Sequence, residues 1–287
     1  MRGLIAAAAI VLVGCSGNGQ MDDHAGHDTA AVQNAPPEQD PNLPAGASTA
    51  LDRLKASPRH AEWVTVKDGA DSVRAFLVYP ERRENAPVVV VIHEIFGLSN
   101  WVKAVADQLA AEGFIAIAPD LLTMKNVPQT AEGEPESQAA RSAIQSLDPE
   151  WAQRMARKSA EYAMNLPAAV KKYGIVGYCW GGSFVWQQAI RYPDLAAAVS
   201  YYGTTPESGY DRINASVLGL YGQNDQRVNA TIARADSAMK ALNKRYTHHI
   251  YDGAGHGFLR AQDQPANFEA TKKAWPETVR FFRDNLR

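Results

Sequence analysis

At 287 residues, 46% of them hydrophobic, the chain is long enough to bury the core of one large α/β domain with extra segments. A formal net charge of -2, without any dense Lys/Arg run, argues against nucleic acid or an anionic membrane surface as the main partner. A small-molecule substrate is the expected partner.

Met1-Arg2-Gly3 places positive charge before the apolar run Leu4 to Val13, which is too short to span a bilayer and reads as an export signal. From Ser16 to about Ala50 the chain is rich in Gly, Asp, Asn, Pro and Ala and poor in large apolar residues. Such a segment buries too little surface to fold, so residues 16–55 read as a disordered tether and 56–287 as the catalytic domain. Asp22-Asp23-His24 and His27 are of metal-ligand type. Nothing rigid holds them together, so a solvated linker is the better reading and no metal site is expected.

Trp63 to Val66 and Val73 to Tyr79 flank Asp68-Gly69 and predict an opening hairpin. Val88 to Ile92 is a continuous β-branched run of the kind buried on both faces of a parallel sheet. Ser99 caps a predicted helix to about Glu112, ended by Gly113, and Phe114 to Ala118 is a second buried strand. The stretch from Pro119 to Leu147 reads as irregular and polar, and Asp148-Pro149 then opens a helix. Beyond it the pattern predicts strand Gly174–Tyr178, helix Trp180–Arg191, strands Ala196–Tyr201 and Val217–Tyr221, helix Val228–Leu242, strand Tyr246–Tyr251 and a helix through Phe282. Alternating strands and helices imply a doubly wound, mostly parallel sheet flanked by helices.

Two cysteines are present, and Cys15 closes the signal, which leaves Cys179 unpaired in an oxidising compartment. Its setting, Gly177-Tyr178-Cys179-Trp180-Gly181-Gly182 between a predicted strand and a predicted helix, is that of a nucleophile elbow with cysteine in the usual serine position. The helix beginning at Trp180 points its positive end at the sulfur, which favours thiolate. Asp225, just after strand Val217–Tyr221, and His256, in the loop after the last strand, follow the nucleophile in the order a hydrolase triad requires. Glu94, in His93-Glu94-Ile95-Phe96-Gly97, ends a central strand, where ligand-binding residues collect in open α/β sheets; it also reads as a surface charge flanking a helix.

Together with Ala118-Pro119-Asp120-Leu121, Tyr201-Tyr202-Gly203, Gly222-Gln223-Asn224-Asp225 and Ala254-Gly255-His256-Gly257-Phe258, these motifs resemble the dienelactone hydrolase (carboxymethylenebutenolidase) family of α/β-hydrolases from about Glu62 to Arg287. The resemblance implies the α/β-hydrolase fold, with Cys179 as nucleophile, His256 as base, Asp225 as its orienting acid and Glu94 as a carboxylate that contacts the thiol and controls its ionisation. It further implies an oxyanion hole made by the backbone amides of Ile95 and Trp180, and a substrate carboxylate held by Arg260 and Arg141. Trp180 stands where the family more often has leucine, and residues 122–147 depart from its pattern.

Leu12-Val13-Gly14-Cys15 resembles the lipobox of bacterial lipoproteins, which implies lipid on Cys15 and an enzyme of the cell envelope whose only membrane contact is its anchor. An ordinary signal cut nearby would leave an exported protein without lipid. The expected function is hydrolysis of a lactone or small activated ester through a cysteine thioester, with no cofactor. In that chemistry an imidazolium and the helix end have to activate the thiol. Two other readings stand beside it: a redox or acyl-transferring thiol on the same fold, and an inactive envelope-anchored binding protein.

Overall fold

The computed structural model describes residues 40–82 and 84–287. Cys15, its signal run and the Asp22 to His27 cluster lie outside the described residues.

A hairpin opens the sheet: β1 (Ala61–Asp68) pairs antiparallel with β2 (Asp71–Val78). Between them Gly69 takes φ 62, which a tight turn needs and glycine adopts without steric cost. Then come β3 (Ala86–Ile92), β4 (Ile115–Pro119), β5 (Ala169–Tyr178), β6 (Ala197–Tyr201), β7 (Ser216–Gly222) and β8 (Tyr246–Tyr251). The eight strands lie in the order β1-β2-β4-β3-β5-β6-β7-β8. β2 meets β4 antiparallel, and all later pairings are parallel. This is the α/β-hydrolase arrangement.

Side chains of β3 alternate between two cores. Val89 and Val91 pack with α1 (Ala50–Ala56), α2 (Asn100–Ala111) and α8 (Pro265–Asn285). Val88, Val90 and Ile92 pack with α4 (Pro149–Met164), α5 (Trp180–Arg191) and α7 (Ile232–Ala241). Because helices cover both faces, an alternating polar strand would strand its polar side chains, and the sequence answers with an unbroken β-branched run. Parallel strands end on one edge, so the loops after β3, β5, β7 and β8 gather there.

Three sequence expectations need correction. Residues 40–55 do not read out as a tether: Leu43, Ala45 and Ala50 are buried in the core beside α2 and α8. Two leucines, Leu43 and Leu54, carry this burial together with alanines, too few large apolar residues to stand out in the sequence. Arg53 reinforces the strap by donating to the carbonyls of Asp40, Pro41 and Leu43 and to Gln108 Oε1.

The stretch from Pro119 to Leu147 holds α3 (Ser137–Gln145), capped by Glu136, whose carboxylate accepts from the amides of Gln138 and Ala139. Only Ala140, Ala143 and Ile144 are buried on it, too small a face to stand out against polar neighbours. The helix expected at Val228–Leu242 is split into α6 (Gln226–Asn229) and α7. Thr231 separates them, its hydroxyl donating to Val228 O at 2.7 Å while accepting from Thr205 N at 3.1 Å, a side-chain bond that competes with the helical ladder.

Arg53→Ala should lower unfolding stability by about 0.5–1.5 kcal/mol, because part-buried and exposed carbonyls of the strap lose their donor. Urea unfolding measures this, and a midpoint unchanged from wild type would mean the strap is not docked.

Candidate active site

Cys179 sits at the junction of β5 and α5 with φ 56 and ψ -113, a backbone state that costs a non-glycine residue about 1–3 kcal/mol. The turn is held from both sides: Cys179 N donates to Tyr201 O at 3.0 Å and Ser183 N donates to Cys179 O at 3.2 Å. Two glycines make the close approach possible. A Cβ on Gly177 would lie 2.1 Å from Gly181 O, and one on Gly181 would lie 2.5 Å from His93 O. Strand β5, helix α5 and the end of β3 therefore converge to backbone contact around one side chain.

Asp225 caps α6 just after β7 and is buried at 7% exposure. Its Oδ2 lies 2.5 Å from His256 Nδ1, and because a carboxylate accepts, Nδ1 carries the proton and Nε2 is left as the outward nitrogen. The histidine loop is fixed where it begins: Gly255 N donates to Asn267 Oδ1 at 2.9 Å, and Asn224 N donates to Ala254 O at 2.9 Å. The imidazole leans on the Tyr202 ring with centroids 5.1 Å apart. Among the described residues, no hydrogen bond joins the Cys179 sulfur to His256.

Glu94 is 3% exposed, and burial pushes its carboxyl up to about 7 against the downward pull of Arg260. Arg260 Nε lies 3.3 Å from Glu94 Oε2. This overturns the reading of Glu94 as a surface charge flanking a helix. It also corrects the expected thiolate, because burial and then the Glu94 charge push the Cys179 thiol up to about 11. A hydrogen bond from the Trp180 amide and the charge of Arg227 act in the opposite direction and are outweighed.

Ile95 and Trp180 are both half-buried and pack against the same small cluster, Leu122, Ala140, Ala143 and Ile144. Arg141, from α3, and Arg260 each place a guanidinium carbon 4.9 Å from the centre of the Phe96 ring. The two arginines the resemblance singled out thus share one aromatic platform beside Glu94, although Arg141 itself is exposed.

Sequence reasoning missed Tyr202, which takes φ 40 and packs against His256, and Arg227, whose charge reaches the thiol. Tyr202 stood within a quoted motif but had no chemistry to recommend it. Arg227 sits two residues past Asp225 and carries no recognisable pattern.

A profile of the dienelactone hydrolase family matches residues 73–286. The chain belongs to the dienelactone hydrolase family. A protein of Saccharolobus solfataricus named "Putative carboxymethylenebutenolidase" is 31% identical over 250 residues, which is 75% of this chain and 95% of that one. Among solved structures, a "Putative Dienelactone Hydrolase" of Klebsiella pneumoniae is 25% identical with a TM-score of 0.68, covering 78% of this chain and 98% of its own. Acylaminoacyl peptidase of Pyrococcus horikoshii shares the fold alone, at 15% identity and a TM-score of 0.63, over 83% of this chain and 44% of that one. Membership of the dienelactone hydrolase family makes the chain a hydrolase of small-molecule esters or lactones.

The buried carboxyl sets a pH dependence of stability. Glu94 rises from 4.5 to about 7 on folding, so the native state binds this proton more tightly than the unfolded chain. Its stabilising contribution is complete below pH about 4.5 and is lost as pH rises through about 7, on the order of 3 kcal/mol in all. Urea unfolding across that window should show wild type weakening with pH and Glu94→Gln, which stays neutral, losing much less. Parallel curves for the two proteins would contradict the assignment.

Proposed function

We propose that this dienelactone hydrolase cleaves a lactone or activated ester bearing a carboxylate, through a thioester on Cys179. The observation that carries the reading is the strained turn presenting Cys179 at the same sheet edge as the Asp225–His256 pair.

The electrostatics suggest how the thiol is activated. Burial pushes the Cys179 thiol up to about 11 and Glu94 only to about 7, so the thiol holds its proton more tightly and the resting enzyme is a thiol. A substrate carboxylate that draws Arg260 away removes the charge that lowers Glu94, makes Glu94 more basic and narrows the gap. Arg141, whose guanidinium carbon also lies 4.9 Å from the centre of the Phe96 ring, is available to the same carboxylate.

The sulfur then forms a bond to the ester carbonyl carbon, and the oxyanion is met by the amides of Ile95 and Trp180. Collapse of that intermediate breaks the bond to the leaving oxygen, which departs as enolate or alkoxide and takes the proton that Glu94 received from the thiol. His256, oriented by Asp225, removes a proton from water, whose oxygen attacks the thioester and expels Cys179 as thiolate. After hydrolysis the expelled thiolate takes its proton back from the His256 imidazolium. For a lactone the product is a single hydroxy or keto acid. A thiol held at about 11 speaks against the redox reading, because peroxides react with thiolates.

The test compares an anionic lactone with a neutral ester on wild type, Cys179→Ala and Arg260→Ala. Cys179→Ala should lose several orders of magnitude of kcat on both. Arg260→Ala should lose kcat/KM mainly on the anionic substrate. Undiminished turnover by Cys179→Ala sinks the nucleophile assignment, and equal losses by Arg260→Ala on the two substrates remove Arg260 from recognition.

For the envelope, we propose lipid on Cys15 with the catalytic domain on the extracytoplasmic side. Mass spectrometry of the mature amino terminus should find a lipidated Cys15, and an unmodified terminus at another residue would refute the anchor.

A further inference from the structure

His93 is fully buried at the end of β3, one residue before Glu94, and the mechanism above gives it nothing to do. Its Nδ1 lies 2.7 Å from Glu94 O, and a carbonyl only accepts, so Nδ1 carries the proton and donates. Gly97 N donates to the same oxygen at 3.3 Å. Two donors therefore hold one carbonyl, and with it the plane of the Glu94–Ile95 peptide.

A trans peptide plane carries its C=O and N–H on opposite sides. With Glu94 O held towards His93 and Gly97, the Ile95 N–H is aimed the other way, and among the described residues it donates to no protein acceptor. The same imidazole stacks on the Trp180 indole, with centroids 5.7 Å apart and planes 18° from parallel. The backbone amide of Trp180 acts on the Cys179 sulfur, pulling its pKa down against burial. One ring thus contacts Trp180 and the peptide group that carries the Ile95 amide.

We infer that His93 is a positioning residue that sets the oxyanion hole, its Nδ1–H locking the Glu94–Ile95 peptide so that the Ile95 amide faces the reacting carbonyl. The inference rests on the thioester reading of Cys179. The side chain touches no substrate, and its effect is confined to steps that develop negative charge on the carbonyl oxygen. A misaimed donor loses much of its value, because hydrogen-bond energy falls steeply with angle and an unaligned amide must reorganise during the reaction.

The experiment uses the full chain with His93→Leu, His93→Asn and His93→Gln. An asparagine amide nitrogen falls near Nδ1 and a glutamine amide nitrogen near Nε2, so only asparagine keeps the donor to Glu94 O. Three rates are read for each: turnover of an activated ester, inhibition by a substrate-shaped trifluoromethyl ketone, and alkylation of Cys179 by iodoacetamide. The ketone forms an oxyanion on the thiol, whereas alkylation forms none.

His93→Leu should lower kcat about 10- to 100-fold with little change in KM. Ketone affinity should fall in parallel and the alkylation rate should stay as in wild type. His93→Asn should recover most of the loss and His93→Gln should not, a contrast that stands even if the leucine variant folds poorly. Wild-type kcat in His93→Leu, equal rates for the asparagine and glutamine variants, or alkylation slowing in step with kcat would each overturn the inference. Absence of an acyl adduct on wild-type Cys179 would instead overturn the thioester reading beneath it, and mass spectrometry of the stopped reaction tells the two failures apart.

Discussion

The backbone contact at the end of β5 is the constraint on which the rest of the site depends. Gly177 and Gly181 approach so closely that neither admits a side chain, and the first turn of α5 presses on the carbonyls of Ile92 and His93 at the end of β3. That contact forces Cys179 into φ 56, because the chain must reverse from strand to helix within one residue. It also brings the turn carrying Glu94 and Ile95 against the elbow. The placements of Cys179, Glu94 and the candidate oxyanion donors are thus consequences of a single packing event, and the strain at Cys179 is offset by the two cores on either side of the sheet.

Burial then decides the chemistry of what has been gathered. A thiol at a helix amino terminus is ordinarily more acidic than free cysteine, and the Trp180 amide does act in that direction. Desolvation and a buried carboxylate nearby are larger, so the sulfur rests protonated. In the proposed mechanism this sulfur becomes a nucleophile when the local charge changes. Arg260 makes that change in this mechanism, because it is half-exposed and pairs with Glu94 beside Phe96, the ring it shares with Arg141.

The sheet was largely legible because its signals are local and repeated. The β-branched run at Val88–Ile92 and the strand-turn-helix around Cys179 correspond to β3 and to the β5–α5 junction, and helix α5 and strand β8 begin and end where their patterns do. Asp225 and His256 were legible through chain order and come together across 31 positions. What escaped depended on partners distant in sequence. The strap at residues 40–56 buries only a few apolar residues whose burial the finished core provides, and α3 buries only Ala140, Ala143 and Ile144. The thiol was misread for the same reason, since a helix end is visible in sequence and desolvation is not.

That strap extends the site beyond the family's matched span, which begins at residue 73. Ala47 N donates to Arg260 O at 2.8 Å, and Gln262 Nε2 donates to Pro44 O at 2.9 Å. The loop that carries His256 and Arg260 is therefore braced at its start by Asn267 of α8 and at its end by residues that precede the sheet. A long cationic side chain gains selectivity when its backbone is fixed, because fewer orientations of the guanidinium then compete with the one aimed at the ligand. Glycine at position 46 fits this account: a Cβ there would meet Gln262 Cβ at 3.2 Å and Arg260 O at 3.4 Å, so strap and loop pack closely there. Arg260 faces two demands, pairing with buried Glu94 in the resting state and turning to a substrate anion. Bracing the backbone while leaving the side chain free meets both, and it assigns the residues ahead of the hairpin a part in shaping the site.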